Sequence, residues 1–288
     1  MAEVFYVQSR EDYSWKARKN VLEVDFSEDE YKSRLDSVGN FLTSRDMDAL
    51  LVHEAGAETA NTRYLTGFAS ASTFIGASVT LVSADGRIAL ISSAIAHGEP
   101  MHSNVQTAWI EDVRCLASSS PEAFVAAIGD VLAQWGLRRV VVNELALLPF
   151  GLHAALSGAE GIAVTDAGSV MRELRAVKSP AERAVIRALG ALTAEGMSAA
   201  VAAVEVGASE SDIAAAAHAA CVRHGAELMT FGCFVSTGAR SALKNVPPRP
   251  DRKVAPGTLV TIEGFRARSG TPTANARGAS ASAGRSNR

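Results

Sequence analysis

Residues 171–187 read MRELRAVKSPAERAVIR, and the second half of that stretch opens a helix. Ser179 can accept from the free amides of a first helical turn. Pro180 suits the first helical position, where its missing amide would be unsatisfied anyway. Glu182, three residues beyond Ser179, completes a capping box. Behind it Val185, Ile186, Leu189, Leu192, Met197, Val201 and Val204 recur at helical spacing. One apolar face therefore runs along a long helix, expected over 180–206 and ending near Gly207.

Working outward, the downstream side continues with a helix from Ser209, with Asp212 as its capping partner, that closes at His224-Gly225. Segments 227–236 and 259–262 then read as strands. Upstream the chain alternates between helix and strand. Ser27 and Glu30 form a capping box before a helix carrying Tyr31, Leu35, Val38 and Leu42, and residues 48–53 form a short buried strand. Strands 78–82 and 88–92 flank Asp85-Gly86, a strong hairpin signal, so this pair is expected to be antiparallel. A helix over 121–135, a strand over 139–143, a short helix near 149–156 and a helix over 166–175 follow.

The composition bounds what such a chain can do. Its 288 residues allow about two domains, and 48% hydrophobic residues suffice for a core in each. The 28 basic and 31 acidic residues are interspersed, leaving a net charge of −3 with neither a basic stripe for nucleic acid nor a polybasic segment for a membrane. Neither partner is expected. Three cysteines without a CxxC pair suit a reducing compartment, and no apolar run of signal-peptide or bilayer-spanning length stands out, so a cytoplasmic protein is expected.

The order L-R-x-x-K-S-P-x-E-x-x-x-I-R, from Leu174 to Arg187, resembles the entry to the catalytic domain of the creatinase, aminopeptidase P and prolidase superfamily, the M24-like pita-bread fold. Asn61-Thr-Arg-Tyr64-Leu-Thr-Gly-Phe68 resembles the N-x-x-Y-L-T-G-F stretch of that superfamily's N-terminal domain. The resemblance covers roughly residues 28–263. It implies an α/β N-terminal domain with a mixed sheet over 27–165, after an extension over 1–26. An incomplete α+β pita-bread domain over 166–265 would follow. Residues 266–288 hold Gly, Ala, Ser, Thr, Asn, Pro and Arg without a large aliphatic side chain, and are expected to be a disordered tail.

The same resemblance implies a hydrolase of C–N bonds that acts on a small amidino compound or a short prolyl peptide. Metal-dependent members carry a catalytic His, then G-D-x-V-x-I-D, then G-Y-x-x-D-x-x-R, and two metal ions between such carboxylates activate water and polarise a carbonyl. Here Gly257-Thr-Leu-Val-Thr-Ile-Glu263 places Glu263 at the first ligand's position and Thr258 where a flanking acid would be. Ala274 takes the second ligand's place, and Arg277 matches the arginine. Asn245 falls at the histidine's position when aligned from Arg240-Ser-Ala-Leu243. Creatinase, the metal-free branch, still needs its histidine, and an asparagine amide does not titrate near neutrality.

The expectation is therefore an inactive or severely weakened hydrolase, with manganese or another divalent metal relevant only to a longer active form. A non-catalytic dimerising or ligand-binding module, or a truncated relic, is the alternative. Phe74 lies where some family members lean residues into a neighbour's active site, and a partial sheet would favour homo-oligomers. The six histidines lack any HExxH context and read as surface or capped structural residues.

Overall fold

The computed structural model describes residues 26–55, 59–68, 76–93, 95–96, 99–100, 109–116, 118–226, 228–263 and 266–268. The chain divides into two units, Met1–Lys178 and Ser179–Arg288.

In the first unit, α1 (Glu28–Ser44) leads into β1 (Ala49–Ala55) and α2 (Ala60–Thr66). The hairpin of β2 (Ala77–Ser83) and β3 (Ile88–Ser92) follows, then the two-residue strands β4 (Ile95–Ala96) and β5 (Glu99–Pro100), and β6 (Val113–Cys115). Next come α3 (Pro121–Trp135), β7 (Arg139–Val142), α4 (Phe150–Ser157), β8 (Ala163–Asp166) and α5 (Val170–Leu174). Six strands form one mixed sheet in the order β6-β3-β2-β1-β7-β8. The expected β2–β3 hairpin is antiparallel, β1 pairs antiparallel with β2, and β1–β7, β7–β8 and β3–β6 are parallel.

The period-two alternation of a strand builds both cores of this sheet. Ala49 and Leu51 of β1 face a cluster completed by Phe124, Ile128 and Val131 of α3 and Leu152 and Leu156 of α4. Leu50 and Val52 face the opposite cluster, with Leu35, Val38 and Leu42 of α1 and Tyr64 and Leu65 of α2. A strand covered on both sides reads as a continuous apolar run, which is why 48–53 looked uniformly buried.

Two local differences from the sequence reading have clear causes. Ser27 caps α1 by accepting from the Glu30 amide, but Glu30's carboxylate turns to Arg34 at 3.0 Å instead of closing the box. Arg34 is buried, donates to the Tyr64 carbonyl at 2.8 Å and lies over the rings of Phe26, Tyr31 and Tyr64, so it competes successfully for that acid. The unit boundary falls at Lys178/Ser179 rather than near Thr165, because Val170 and Met171 of α5 pack into the α1 cluster. The N-x-x-Y-L-T-G-F stretch is largely the helix α2, closed by Gly67 in the left-handed conformation.

The second unit opens with α6 (Pro180–Ala202) and α7 (Glu210–Arg223), both capped by reciprocal boxes at Ser179/Glu182 and Ser209/Asp212 as expected. The strand expected over 227–236 is two, β9 (Leu228–Phe231) and β10 (Phe234–Thr237), with Gly232 and Cys233 between them. β10 pairs antiparallel with β11 (Val260–Glu263), and β9 with β12 (Arg266–Arg268). The tail expected from 266 thus begins with a strand, because main-chain ladder bonds need no large side chain. Residues 269–288 lie outside the described residues.

Leu192 and Ala200 of α6 pack with Ile213, Ala217 and Cys221 of α7 and with Val235, Val260 and Ile262 of the β10–β11 pair. By length and composition alone α6 is also apolar enough to cross a bilayer, a test that the core helix of a globular protein passes too. Its alanines supply that character, while Arg187 and Glu195 interrupt it.

Candidate functional site

The segment between β10 and β11 brings together two of the residues singled out from the sequence. A 3₁₀ turn over Gly238–Ala242 leaves β10, and the chain then passes Asn245 in the left-handed region at φ 54°. Asparagine is among the few non-glycine residues that tolerate this conformation. From there the Asn245 main-chain amide donates to Glu263 Oε2 at 3.0 Å. Glu263 is the last residue of β11 and pairs in register with Phe234. The Thr261 hydroxyl donates to the Ser241 carbonyl at 3.3 Å, a second tie between turn and strand.

The contact involves the backbone of Asn245, not its carboxamide. Asn245 is exposed and Glu263 half-buried, so this is a charge-assisted bond at the edge of solvent. Thr258 lies just before β11 and offers only a hydroxyl. Among the described residues, no group of three His, Cys, Asp or Glu side chains converges to hold a metal ion. Glu263, without further ligands gathered around it among the described residues, does not by itself fit a two-metal centre. Phe74, Ala274 and Arg277 lie outside the described residues.

His53 ends up half-buried on β1, where burial lowers its basicity, and next to it burial raises the Glu54 carboxyl above the usual range. Glu54 accepts from the Asn61 and Thr62 amides at 2.9 and 2.7 Å, so it caps α2. His224 caps α7, its Nδ1 2.8 Å from the Ala220 carbonyl. His218 lines an open, mostly apolar groove of about 640 Å³ with Ala214, Val222 and Cys233. His97 and His102 lie outside the described residues.

Two stretches that looked diagnostic in sequence meet in space within the first unit. Arg175 donates to Asn61 Oδ1 at 2.6 Å, and its guanidinium lies 5.9 Å from the Tyr64 ring centre. The L-R-x-x-K stretch and the N-x-x-Y stretch are thus two halves of one contact. The sequence reading missed Glu210, the first residue of α7, which is fully buried and tied to the segment carrying Asn245. Its only signal was an acid directly after an N-cap serine.

Comparison with known proteins follows the same division. Residues 34–177 match the model of the creatinase/prolidase N-terminal domain, and residues 184–267 that of metallopeptidase family M24. No curated protein sequence matches. Among solved structures, the chain is similar to an X-Pro aminopeptidase from Thermotoga maritima, at 18% identity and a TM-score of 0.67 over 82% of this chain and 61% of that one. It is similar to a prolidase from Pyrococcus horikoshii at 19% identity and a TM-score of 0.64, and to the dipeptidase PepE from Mycobacterium ulcerans at 20% and 0.61, each over 83% of this chain and 61% of the other. The chain therefore spans about 61% of the length of these structures.

Proposed function

Because this chain belongs to the creatinase, prolidase and M24 metallopeptidase superfamily, we propose that it descends from hydrolases of C–N bonds in Xaa-Pro peptides or small amidino compounds, and that this chemistry is absent or severely weakened in the chain itself. The observation that supports the reading is the pairing of Asn245 with Glu263. By resemblance these positions would supply an imidazole for proton transfer and a metal-binding carboxylate. An asparagine carboxamide cannot take the proton, and a single carboxylate supplies too few ligands to hold two metal ions.

The test is direct. The purified chain, incubated with creatine or with Xaa-Pro dipeptides, with and without manganese, is expected to release cleavage products no faster than buffer. Turnover above that control on any substrate overturns the proposal.

A second reading is supported by the first unit, whose six-stranded sheet carries an apolar core on each face. On this reading the unit serves as a dimerising or ligand-binding module without catalysis. A concentration-independent monomer in sedimentation, with no thermal shift from a panel of small amidino compounds and prolyl peptides, removes it.

A further inference from the structure

We infer that Glu210 is a positioning residue: its buried carboxylate holds both ends of the 237–249 segment and so sets where Asn245 meets Glu263. The inference rests on the reading that this segment is the lineage's site, but its geometry and its test need no substrate.

Glu210 is completely buried. A carboxylate removed from water persists only when donors replace its hydration. Here Oε1 accepts from the Thr237 amide at 2.8 Å, from the Thr237 hydroxyl at 3.3 Å and from Arg240 Nε at 3.3 Å. The other oxygen accepts from the Arg249 amide at 3.1 Å. Thr237 is the last residue of β10, and Arg249 stands where the segment turns back toward α7. The two oxygens thus clamp the neck of a loop whose far side carries Asn245.

The clamp is fixed from behind as well. The Glu210 amide donates to the Arg252 carbonyl at 2.9 Å, and the Gly207 and Val254 amides pair with the Val254 and Ala208 carbonyls, both at 2.9 Å. The start of α7 and the stretch after the loop therefore move together. Arg240 bridges the loop internally through Nη2, which donates to the Pro247 carbonyl at 3.0 Å. Polar contacts thus hold the neck and the middle of the loop, and the short covalent stretch from Pro247 back to Asn245 joins them to the tip, whose amide meets Glu263.

This arrangement separates positioning from mere support. A residue that only stabilises the fold affects all amides of the unit alike when it is changed, whereas a clamp releases one segment. Amide hydrogen exchange on the full chain distinguishes the two. In Glu210→Gln, whose carboxamide cannot accept at both ends, the Asn245 and Arg249 amides are expected to exchange about tenfold faster, with the β10–β11 ladder amides within about twofold of the parent. Glu263→Gln is expected to move the Asn245 amide resonance in the parent but no longer in the Glu210→Gln background.

Unchanged exchange at Asn245, uniform acceleration across the unit, or an Asn245 resonance that still responds to Glu263→Gln each overturns the inference. If Glu210→Gln does not fold, Arg240→Met carries the test, because Arg240 is partly exposed and leaves the two neck amides in place. It is expected to accelerate Asn245 more than the ladder, and equal acceleration overturns the inference.

Discussion

The amide of Asn245 reaches Glu263 Oε2 at 3.0 Å from a residue that holds φ at 54°. Left-handed backbone costs an ordinary L-residue about 1–2 kcal/mol, less for asparagine and nothing for glycine. Asn245→Val is therefore expected to lower stability by about 1 kcal/mol or more, and Asn245→Gly to leave it unchanged or raise it slightly. Urea midpoints of the two variants check this. Equal losses for both would show that the carboxamide, not the backbone, matters at this position.

Gly39 sits in α1, where the usual expectation is that alanine stabilises a helix interior by about 1 kcal/mol. Here a Cβ would lie 2.7 Å from the Ala84 carbonyl oxygen, a backbone atom at the β2–β3 turn. Overpacking against backbone costs about 1–3 kcal/mol, so Gly39→Ala is expected to be net destabilising. A thermal melt with a higher midpoint than the parent would contradict it.

Much of this architecture was legible because β1, β3 and β7 of the first unit carry apolar residues on both faces, and because Ser179, Pro180 and Glu182 mark a helix start without any tertiary information. What escaped the sequence was decided by partners distant along the chain. Glu30 looked like a capping acid until Arg34, held by three aromatic rings, claimed it. The apolar stripe expected on α6 included Val185 and Ile186, yet the fully packed positions are Leu189, Leu192, Gly196 and Ala200. Small residues let the neighbouring helix α7 approach closely, and hydropathy does not record that. Glu210 was invisible because nothing in a single acid next to a serine says that four donors await it.

The three thiols differ in reach. Burial pushes the Cys233 thiol up to about 12 and raises Cys221 as well, whereas Cys115 is only half-buried at the end of β6. Because the thiolate is the reactive form, a native-state thiol titration is expected to modify Cys115 first, with Cys221 and Cys233 reacting only as the second unit opens. Mass mapping of the labelled peptides checks the order. Early labelling at Cys233 would show that the groove beside His218 admits reagent to the sulfur.

Asp48 closes the junction between α1, β1 and β7, accepting from the Arg138 and Arg139 amides at 3.1 and 2.8 Å and from the Arg139 guanidinium at 2.7 Å. The side-chain bond from Arg139 is the main reason its carboxyl is lowered to about 2. A folded-state value below the unfolded one means that the ionised form favours folding. The contribution is complete above the unfolded value near 4 and is lost as pH falls through 2. Because Arg139 is well exposed, solvent screening reduces the effect to about 1 kcal/mol. Asp48→Asn is therefore expected to be less stable than the parent by about that amount at pH 7, with the gap closing between about pH 5 and pH 2. Denaturant midpoints of the pair across that range check it, and a gap that stays constant to pH 2 would mean that the ionised carboxylate of Asp48 contributes nothing to the junction.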